Sequence, residues 1–409
     1  ANGKYIFMGD RWKSSDLADS RYIWLPIEFG QDDQIILKWY DQWNLSLLNK
    51  MGRITINTPL PQYVPMGRTP VLPDQLSVTQ SNNVTVQMPV TWSLNVNSFT
   101  KPGRVTVLGV LPSLENKEIS ITIDVLPEHA LYFVNAGGAI TGDYTTWTSY
   151  MGDTLLNKGV PDQQYNPALQ QDWGYVGDST NSSGTASDDL FTNLRYLKSN
   201  SGNDLTYKFN VGSGVYSIYT GLYDPWAQYS NGGRKADIIV NGQTLTSAYV
   251  FTSAKDVLAY PNMTVNEGGI ELTVHRSATA AASSSDPQIS WIIIVKEPTA
   301  QEIADELPAI TAPAVDTVTL GLPAVPAGYS LAIKESSNPM VIGLDGGITP
   351  PDAQTDVELV LEVMRNLDGS KGTITVIVTV PARSATAQEI ANTLTAIATP
   401  AKDDVKLKL

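Results

Sequence analysis

The stretch that decides the fold is DLTYKFNVGSGVYSIYTGLYDPW, residues 204–226. Aromatic and β-branched residues fill both of its halves, and such runs are typical of strands. Gly214 separates the two halves, and glycine adopts the positive φ of a tight turn at little cost. The stretch therefore predicts a β-hairpin that leads into an aromatic loop, YDPW.

On either side of this stretch, the apolar runs LYFVNAGGAI (131–140) and ISWIIIVKEP (289–298) are predicted to begin and end one larger domain. Between them lie further strand patterns, among them GRKADIIVNGQ and GGIELTVHRS. The pair Asn241-Gly242 predicts a second hairpin, because both residue types tolerate positive φ. Residues 129–298 are therefore predicted to form a jelly-roll β-sandwich.

This region resembles the malectin-like and related carbohydrate-binding domains. The resemblance rests on VNAGG near the start, an LRY strand, the Y-x-F-x-V-x-x-G-x-Y stretch, the DPW loop and R-x-x-D-I-x-V-N-G. It implies a β-sandwich that binds a glycan. GLYDPW stands where malectin itself has an FAE-like sequence, so malectin's own sugar preference does not carry over.

A sugar site needs flat aromatic faces for pyranose C–H surfaces and fixed polar groups for hydroxyls. The loop GLYDPWAQYSNGGRKADI has both kinds of group, and DWGYVGD and LRY add aromatic residues. The alternative is structural, with Trp226 packed under the loop and an Asp224–Arg234 pair holding the strands. The candidate carbohydrate-binding residues are Tyr175, Tyr196, Tyr223, Asp224, Trp226, Tyr229 and Arg234.

Metal and cofactor chemistry has few candidates in this sequence. Zero Cys and two isolated His exclude cysteine zinc sites and leave little for a catalytic triad. Asp188 and Asp189 could ligate a structural calcium ion, or could equally cap a strand. VNAGGAITGDY lacks the Lys-Ser/Thr of a P-loop and is expected to open no helix.

The first 50 residues alternate aromatic runs with short polar turns: YIFMGDRW, DSRYIWLPIEF and LKWYDQWNL. These runs predict three antiparallel strands whose edges need a partner. Their order resembles the last blade of the five-bladed β-propeller in glycoside hydrolase family 43, in the branch of galactan exo-1,3-galactosidase-like enzymes. The resemblance implies that the chain is the C-terminal part of a longer enzyme.

That family cleaves terminal sugars with inversion, using one carboxylic acid and one base. The resemblance implies that these groups lie on earlier blades of an upstream propeller, so no catalytic residue is assigned here. Asp10 is the one weak candidate for contact with substrate. As part of a Gly-Asp pair, it is more typical of a turn.

Residues 51–128 change to short strands punctuated by Pro and Gly, as in VTVQM and VTVLGV. This alternation predicts a small β-sandwich. The order LPDQLSV, MPVTWSL, KPGRVTVLGVL and ISITIDV resembles the group 4 bacterial Ig-like domain. In that resemblance Trp92 is a core residue.

Residues 299–409 contain one aromatic residue, Tyr329, and an internal repeat. TAQEIADELPAITAPAVDTVTLGL (299–322) returns as TAQEIANTLTAIATPAKDDVKLKL (386–409), with 15 of 24 positions identical. Its first half predicts a helix, with Thr299 and Glu302 as a capping box and Ile303, Leu307 and Ile310 on one face. Its second half alternates like a strand.

The segments SSNPMVIGLDGGITPP and GTITVIVTVP resemble the atrophied bacterial Ig-like domain, a spacer. A Trp that usually precedes the SS pair is replaced here by LAIKESS, so the core is expected to form around Ile333. Residues 299–382 form one such domain, and residues 383–409 begin a second.

Composition sets the outer limits of function. The chain has 409 residues, 27 basic and 41 acidic, with a net charge of −14 and no basic cluster for nucleic acid. No apolar run is long enough to span a membrane. The prediction is a mainly β, multidomain protein: a partial propeller blade, an Ig-like sandwich, a jelly-roll sandwich and an Ig-like tail with a short helix.

Two hypotheses for function follow. In the first, the chain is the non-catalytic region of a secreted bacterial glycosidase acting on β-1,3-galactan or arabinogalactan-type plant polysaccharide, supplying carbohydrate binding and spacing. In the second, it belongs to a non-enzymatic cell-surface adhesin or scaffold that binds glycans. Both imply an extracellular or cell-surface location.

Overall fold

A computed structural model describes residues 4–29, 34–81, 83–140, 142–184, 187–199, 201–226, 231–281, 286–326 and 328–394. Strands dominate every part of this range, and the few helices are short. The predicted mainly β, multidomain class is confirmed. The chain divides into two compact units, residues 1–297 and 298–409.

The first sheet is antiparallel, with its strands in chain order. It consists of β1 (Tyr5–Arg11), β2 (Arg21–Phe29) and β3 (Ile35–Leu37), and helix α1 (Leu47–Met51) follows it. Large aromatic side chains on this sheet are exposed, including Tyr22 at 81% and Trp24 at 58%, and so is Trp12, just after β1, at 73%. Asp10 on β1 is also exposed and pairs in register with Tyr22.

The next module is a two-sheet sandwich. Its strands are β4 (Ile54–Ile56), β5 (Tyr63–Pro65), β6 (Gln75–Gln80), β7 (Thr85–Pro89), β8 (Thr91–Ser93), β9 (Gly103–Leu111) and β10 (Lys117–Leu126). One sheet has the order β4-β6-β7 and the other β5-β10-β9-β8, with β5 parallel to β10. Trp92 packs against both apolar clusters of this module, and its Nε1 donates to the Pro73 carbonyl at 2.8 Å. Trp92 thus takes the structural role expected for it.

The largest module is a β-sandwich with one helix of 10 residues. Its elements are β11 (Ala130–Asn135), α2 (Gly142–Met151), β12 (Trp173–Tyr175), β13 (Thr180–Ser183), β14 (Leu194–Leu197), β15 (Asp204–Phe209), β16 (Gly214–Leu222), β17 (Asn231–Val240), β18 (Gln243–Thr252), β19 (Asp256–Val265), β20 (Ile270–Arg276), β21 (Gln288–Ile289) and β22 (Trp291–Lys296).

Two sheets of this module, β11-β22-β16-β19 and β12-β15-β20-β17-β18, face each other across an apolar core. Inward residues such as Tyr207, Ile218, Ile238 and Ile292 are almost fully buried there. A third, short sheet has the order β13-β14-β21. Buried and more exposed side chains alternate along β15, whereas β16 and β22 are buried at almost every residue, since apolar side chains cover both faces of their sheet.

The two hairpin predictions have opposite outcomes. Asn241 and Gly242 join β17 to β18 with φ of 48° and 79°, as a two-residue hairpin requires, and this prediction is confirmed. The hairpin at Gly214 is wrong, because β15 and β16 belong to different sheets. Both strands bury apolar side chains in the core between those sheets, so residues 210–213 cross from one sheet to the other.

The expectation that VNAGGAITGDY opens no helix is also wrong. Helix α2 begins at Gly142 and places Tyr144, Trp147 and Met151 on one face. That face packs on the outer side of the β11-containing sheet, where Phe133 stacks on Tyr144 at 4.9 Å between ring centroids. Packing against the sheet therefore outweighs the weak helix propensity of the Thr-rich segment.

The second unit contains α3 (Ala300–Asp305), the antiparallel sheet β23 (Tyr329–Ser336), β24 (Thr355–Arg365) and β25 (Lys371–Val380), and α4 (Ala387–Thr393). The predicted capping box of Thr299 and Glu302 is confirmed, and Ile333 lies in the core, 6% exposed.

The predicted helix is too long. It ends at Asp305, so Leu307 and Ile310 lie beyond it, although both still pack on the core. The predicted strand in residues 311–322 is reduced to an isolated bridge from Thr319 to Gly347. Proline cannot donate to a helix or sheet ladder, and Pro308 and Pro313 interrupt both patterns.

Candidate functional site

The DPW loop lies at the end of the large sandwich where β16 ends and β19 begins. Leu222, the last residue of β16, pairs in register with Asp256, the first residue of β19. The chain then turns, and the backbone N–H of Asp224 donates to the Thr252 carbonyl at 3.0 Å. Residues 223–226 are thereby fixed at the rim of the sandwich.

A buried ion pair holds this loop from beneath. Arg234 Nε donates to Asp224 Oδ2 at 2.9 Å, and the two side chains are 4% and 0% exposed. Asp224 Oδ1 accepts from the backbone N–H of Trp226 at 3.0 Å. Arg234 also donates to the carbonyl of Asp286. The pair thus connects the loop to two other segments of the chain.

This burial changes the role expected of two candidate residues. Asp224 and Arg234 were predicted as polar anchors for sugar hydroxyls, but in the structure neither side chain reaches the surface. Desolvating both charges is tolerable because each neutralises the other. Their contacts are those of the structural alternative, and they can affect a ligand through Trp226.

Two aromatic candidates meet at this rim, and a third, Tyr223, lies three residues before Trp226 in the same loop. Trp226 and Tyr196 are both half-buried and meet edge to face, with ring centroids 5.6 Å apart at 75°. The guanidinium carbon of Arg234 lies 5.4 Å from the Trp226 ring centroid. Tyr223 is half-buried, and its carbonyl accepts from Gln288 Nε2 at 2.7 Å. Part of each ring therefore remains available to a ligand.

Tyr175 belongs to a different cluster. Its ring lies 3.5 Å from the guanidinium carbon of Arg195, whose Nε donates to Asp162 at 2.6 Å. Arg195 and Tyr196 are neighbours on β14, and successive side chains of a strand point to opposite faces. Tyr175 therefore packs on the face of β14 opposite to the Trp226 contact.

Asp162 is the centre of that second cluster and was missed by the sequence analysis. It accepts hydrogen bonds from the Gly137 backbone N–H at 2.5 Å and the Tyr207 hydroxyl at 3.1 Å, as well as from Arg195. Burial raises the pKa of Asp162, and the positive charge of Arg195 opposes this effect. Burial also raises the pKa of Tyr207 well above its usual value.

Three candidates remain, Tyr229 for sugar binding and Asp188 and Asp189 for calcium binding. Tyr229 lies outside the described residues. Asp189 pairs with Lys255 and also accepts from the Phe191 backbone N–H at 2.9 Å, which fits an ion pair better than a calcium site of six to eight oxygens. The backbone carbonyl of Asp188 accepts from the N–H of Asp143. Among the residues that the structure describes, no group of three or more His, Asp or Glu side chains is placed to hold a metal ion.

A cleft of about 370 Å³ lies between the Ig-like module and the large sandwich. Charged groups from both modules line it, including Lys101, Arg104, Asp143 and Lys255. Arg104 binds Asp143 through both terminal nitrogens, at 2.8 and 3.1 Å. These hydrogen bonds raise the pKa of the Arg104 guanidinium.

Comparison with known families assigns one module. Residues 42–113 match the model of the bacterial Ig-like domain (group 4). The family predicted for this module is confirmed. The match begins at 42, within the segment expected to complete a propeller blade, and covers β4 to β9 of the described sandwich. No curated protein matches the chain.

Several solved structures share limited similarity with the chain. A β-glucuronidase of Bacteroides uniformis is 16% identical, with 62% of this chain and 32% of that chain covered and a TM-score of 0.30. The ANX2 ectodomain from Arabidopsis thaliana is 16% identical, with 47% and 65% covered and a TM-score of 0.29. The M60 catalytic domain with two CBM51 domains, from Clostridium perfringens ZmpB, is 12% identical, with 92% and 36% covered and a TM-score of 0.24.

The chain thus spans about a third of the β-glucuronidase that it matches. Similarities at this level carry no argument about the function of this chain. The helices that the structure describes are all too short or too polar to cross a lipid bilayer.

Proposed function

We propose that residues 129–298 bind a glycan at the aromatic rim formed by Tyr196, Tyr223 and Trp226. The observation that carries this proposal is the half-exposed Trp226, whose backbone and ring are both held by the buried Asp224–Arg234 pair. An aromatic ring that is already fixed loses little conformational freedom when a sugar stacks on it.

The chain as a whole would serve a secreted bacterial glycosidase that acts on β-1,3-galactan or arabinogalactan-type plant polysaccharide. The large sandwich would keep the enzyme on its substrate, and the Ig-like modules would set its reach. Linkage of a weak binding module to a catalytic module raises the local substrate concentration without new contacts at the active site.

The first sheet supports this wider proposal. Trp12, Tyr22 and Trp24 are each more than half exposed, and several large exposed aromatic side chains in one module favour an interaction surface. A propeller blade would cover such a face with a neighbouring blade. The inverting exo-glycosidase chemistry would then be supplied by those other blades.

A non-enzymatic adhesin or scaffold is the second candidate. It is favoured by the bacterial Ig-like match together with the repeated TAQEIA segment, since tandem spacers also suit a cell-surface stalk. Both candidates need the glycan site. They differ in whether β-1,3-galactan is hydrolysed by the polypeptide in which this chain occurs.

Calorimetric titration of the full chain with β-1,3-galactooligosaccharides and arabinogalactan tests the site. Trp226→Ala should weaken binding by at least about tenfold, since aromatic anchors contribute most to such sites. Trp39→Ala, which removes an exposed Trp just after the first sheet, is the matched control and should bind as the unaltered chain does.

Equal binding by the Trp226→Ala and unaltered chains would exclude the rim as the site. Absence of any binding to galactans, with the chain folded by circular dichroism, would contradict the proposed substrate.

A further inference from the structure

We propose that the cleft between the Ig-like module and the large sandwich is a second sugar subsite, which extends the aromatic rim and receives further residues of a neutral oligosaccharide. This inference rests on the proposed glycan binding at Trp226. It adds a binding surface that neither module has alone.

The cleft has the size and the lining of a ligand site. Its volume of about 370 Å³ falls in the range of small-molecule sites, about 300–1,000 Å³. Apolar side chains from both modules line it together with charged groups. The apolar residues include Pro102, Val105, Phe191 and Val257.

The charges in the cleft balance, which points to a neutral ligand. Three cationic side chains and three carboxylates line it, and two ion pairs form among them, Arg104 with Asp143 and Lys255 with Asp189. The cations are Lys101, Arg104 and Lys255, and the carboxylates are those of Asp143, Asp189 and Asp256. Such pairs offer donors and acceptors to hydroxyl groups while giving no net attraction to a charged sugar.

The cleft is continuous with the rim along the chain. Asp256, which lines the cleft, pairs with Leu222, and the DPW loop continues directly from Leu222. On the other side, Phe191 lines the cleft three residues before β14, which contains Tyr196. A glycan stacked on Trp226 at this end of the sandwich would therefore lead toward the cleft.

The two walls of the cleft are held in a fixed orientation. Tyr63 of the Ig-like module stacks on Tyr150 of α2, with centroids 5.0 Å apart and planes at 7°. The Tyr150 hydroxyl donates to Gln62 Oε1 at 3.1 Å, and Lys101 Nζ donates to the Val257 carbonyl at 3.2 Å. The subsite is thus preorganised, which lowers the entropic cost of binding.

Titration with ligands of two lengths tests the subsite in the full chain. The probes are β-1,3-galactobiose, short enough for the rim, and β-1,3-galactohexaose, long enough to reach the cleft. Lys101→Ala and Lys255→Ala should each weaken hexaose binding about fivefold to tenfold, as for the loss of one or two hydrogen bonds, and leave biose binding unchanged. Lys208→Ala, which breaks an exposed pair with Glu271 on the far sheet, is the matched control.

The outcomes separate this inference from the function on which it rests. If Trp226→Ala weakens both ligands but the lysine variants bind the hexaose normally, the rim is the site and the cleft is not. If a hexaose carrying a glucuronate residue binds more tightly than the neutral one, the ligand class is wrong. If neither length binds the unaltered chain, the proposed function fails together with the subsite.

Discussion

Two buried aspartate–arginine pairs in the large sandwich are built alike and surrounded differently. Asp162 meets Arg195 at 2.6 Å, and Asp224 meets Arg234 at 2.9 Å. In each pair the side chains are at most 9% exposed, and an aromatic ring lies over the guanidinium. The chemistry of the two pairs is therefore the same.

The difference lies in what each carboxylate holds. Asp162 also accepts from the Gly137 backbone and the Tyr207 hydroxyl, so it ties the start of the module to a core strand. Asp224 also accepts from the backbone of Trp226, so it ties a surface aromatic to the interior. One arrangement connects two parts of the fold, and the other holds the aromatic residue of the proposed glycan site.

The largest expected effect follows from breaking the more connected pair. Asp162→Ala leaves the buried Arg195 charge uncompensated and the Tyr207 hydroxyl without this acceptor, and should lower the free energy of unfolding by about 3–5 kcal/mol. Urea denaturation measures this change. Asp153→Ala, which removes an exposed partner of Lys158, is the control and should leave the free energy of unfolding nearly unchanged. A loss for Asp162→Ala as small as that of the control would refute its role in the fold.

Asp224→Ala should have a smaller effect on stability and a larger one on binding. It also leaves a buried arginine unpaired, but fewer protein groups depend on this carboxylate, so we expect about 3 kcal/mol. Because the Trp226 backbone loses its acceptor, galactan binding should weaken by about tenfold or more at temperatures where the variant is folded. If calorimetry shows unchanged galactan binding, the Asp224–Arg234 pair stabilises the fold and does not position Trp226 for a ligand.

The sequence identified surface aromatic residues of this region better than the roles of its charged residues. Trp226 and Tyr196 were chosen because sugar sites use aromatic side chains, and the structure places these two rings in contact. Burial of Asp224 and Arg234 could not be read from the sequence, since a charged residue is buried or exposed according to the partner that the fold supplies. Asp162 lies in a segment that contains no recognisable motif. Its one signal in the sequence was Arg195 of the LRY strand, because a buried arginine needs a carboxylate partner.

The two copies of the TAQEIA repeat also show that the sequence predicts local structure better than it predicts burial. Both form a helix with the same capping box, at Thr299 and at Thr386, because capping depends on residues three apart in the sequence. Ile303 of the first copy is 4% exposed, whereas the equivalent Ile390 is 52% exposed. Local sequence determines the cap, and the sheet available to each helix determines its burial.

Tyr207→Phe tests one hydrogen bond of the Asp162–Arg195 pair and should reduce the free energy of unfolding less than the loss of either carboxylate does. The change removes one hydroxyl from Asp162 and leaves the ion pair intact, so we expect a loss of about 1.5–2 kcal/mol, as for a hydrogen bond to a charged group. Tyr216→Phe is the control, since its hydroxyl donates to the neutral carbonyl of Gly212 at 2.9 Å. That loss should be about 1 kcal/mol. Equal losses in urea denaturation would show that the charge of Asp162 adds nothing.

The smallest expected effect is the coupling between Trp226 and Tyr196. A double-mutant cycle with Trp226→Ala and Tyr196→Ala, followed by urea denaturation, should give a coupling energy of about 0.5–1.5 kcal/mol, the value for an edge-to-face pair. The rings are half-exposed, so their contact is worth less than either buried ion pair. A coupling near zero would mean that Tyr196 does not fix Trp226 in solution. The position of the Trp226 ring would then depend on Asp224 and Arg234 alone. The loss in free energy of unfolding for Asp224→Ala would then measure how strongly the fold maintains the proposed glycan site.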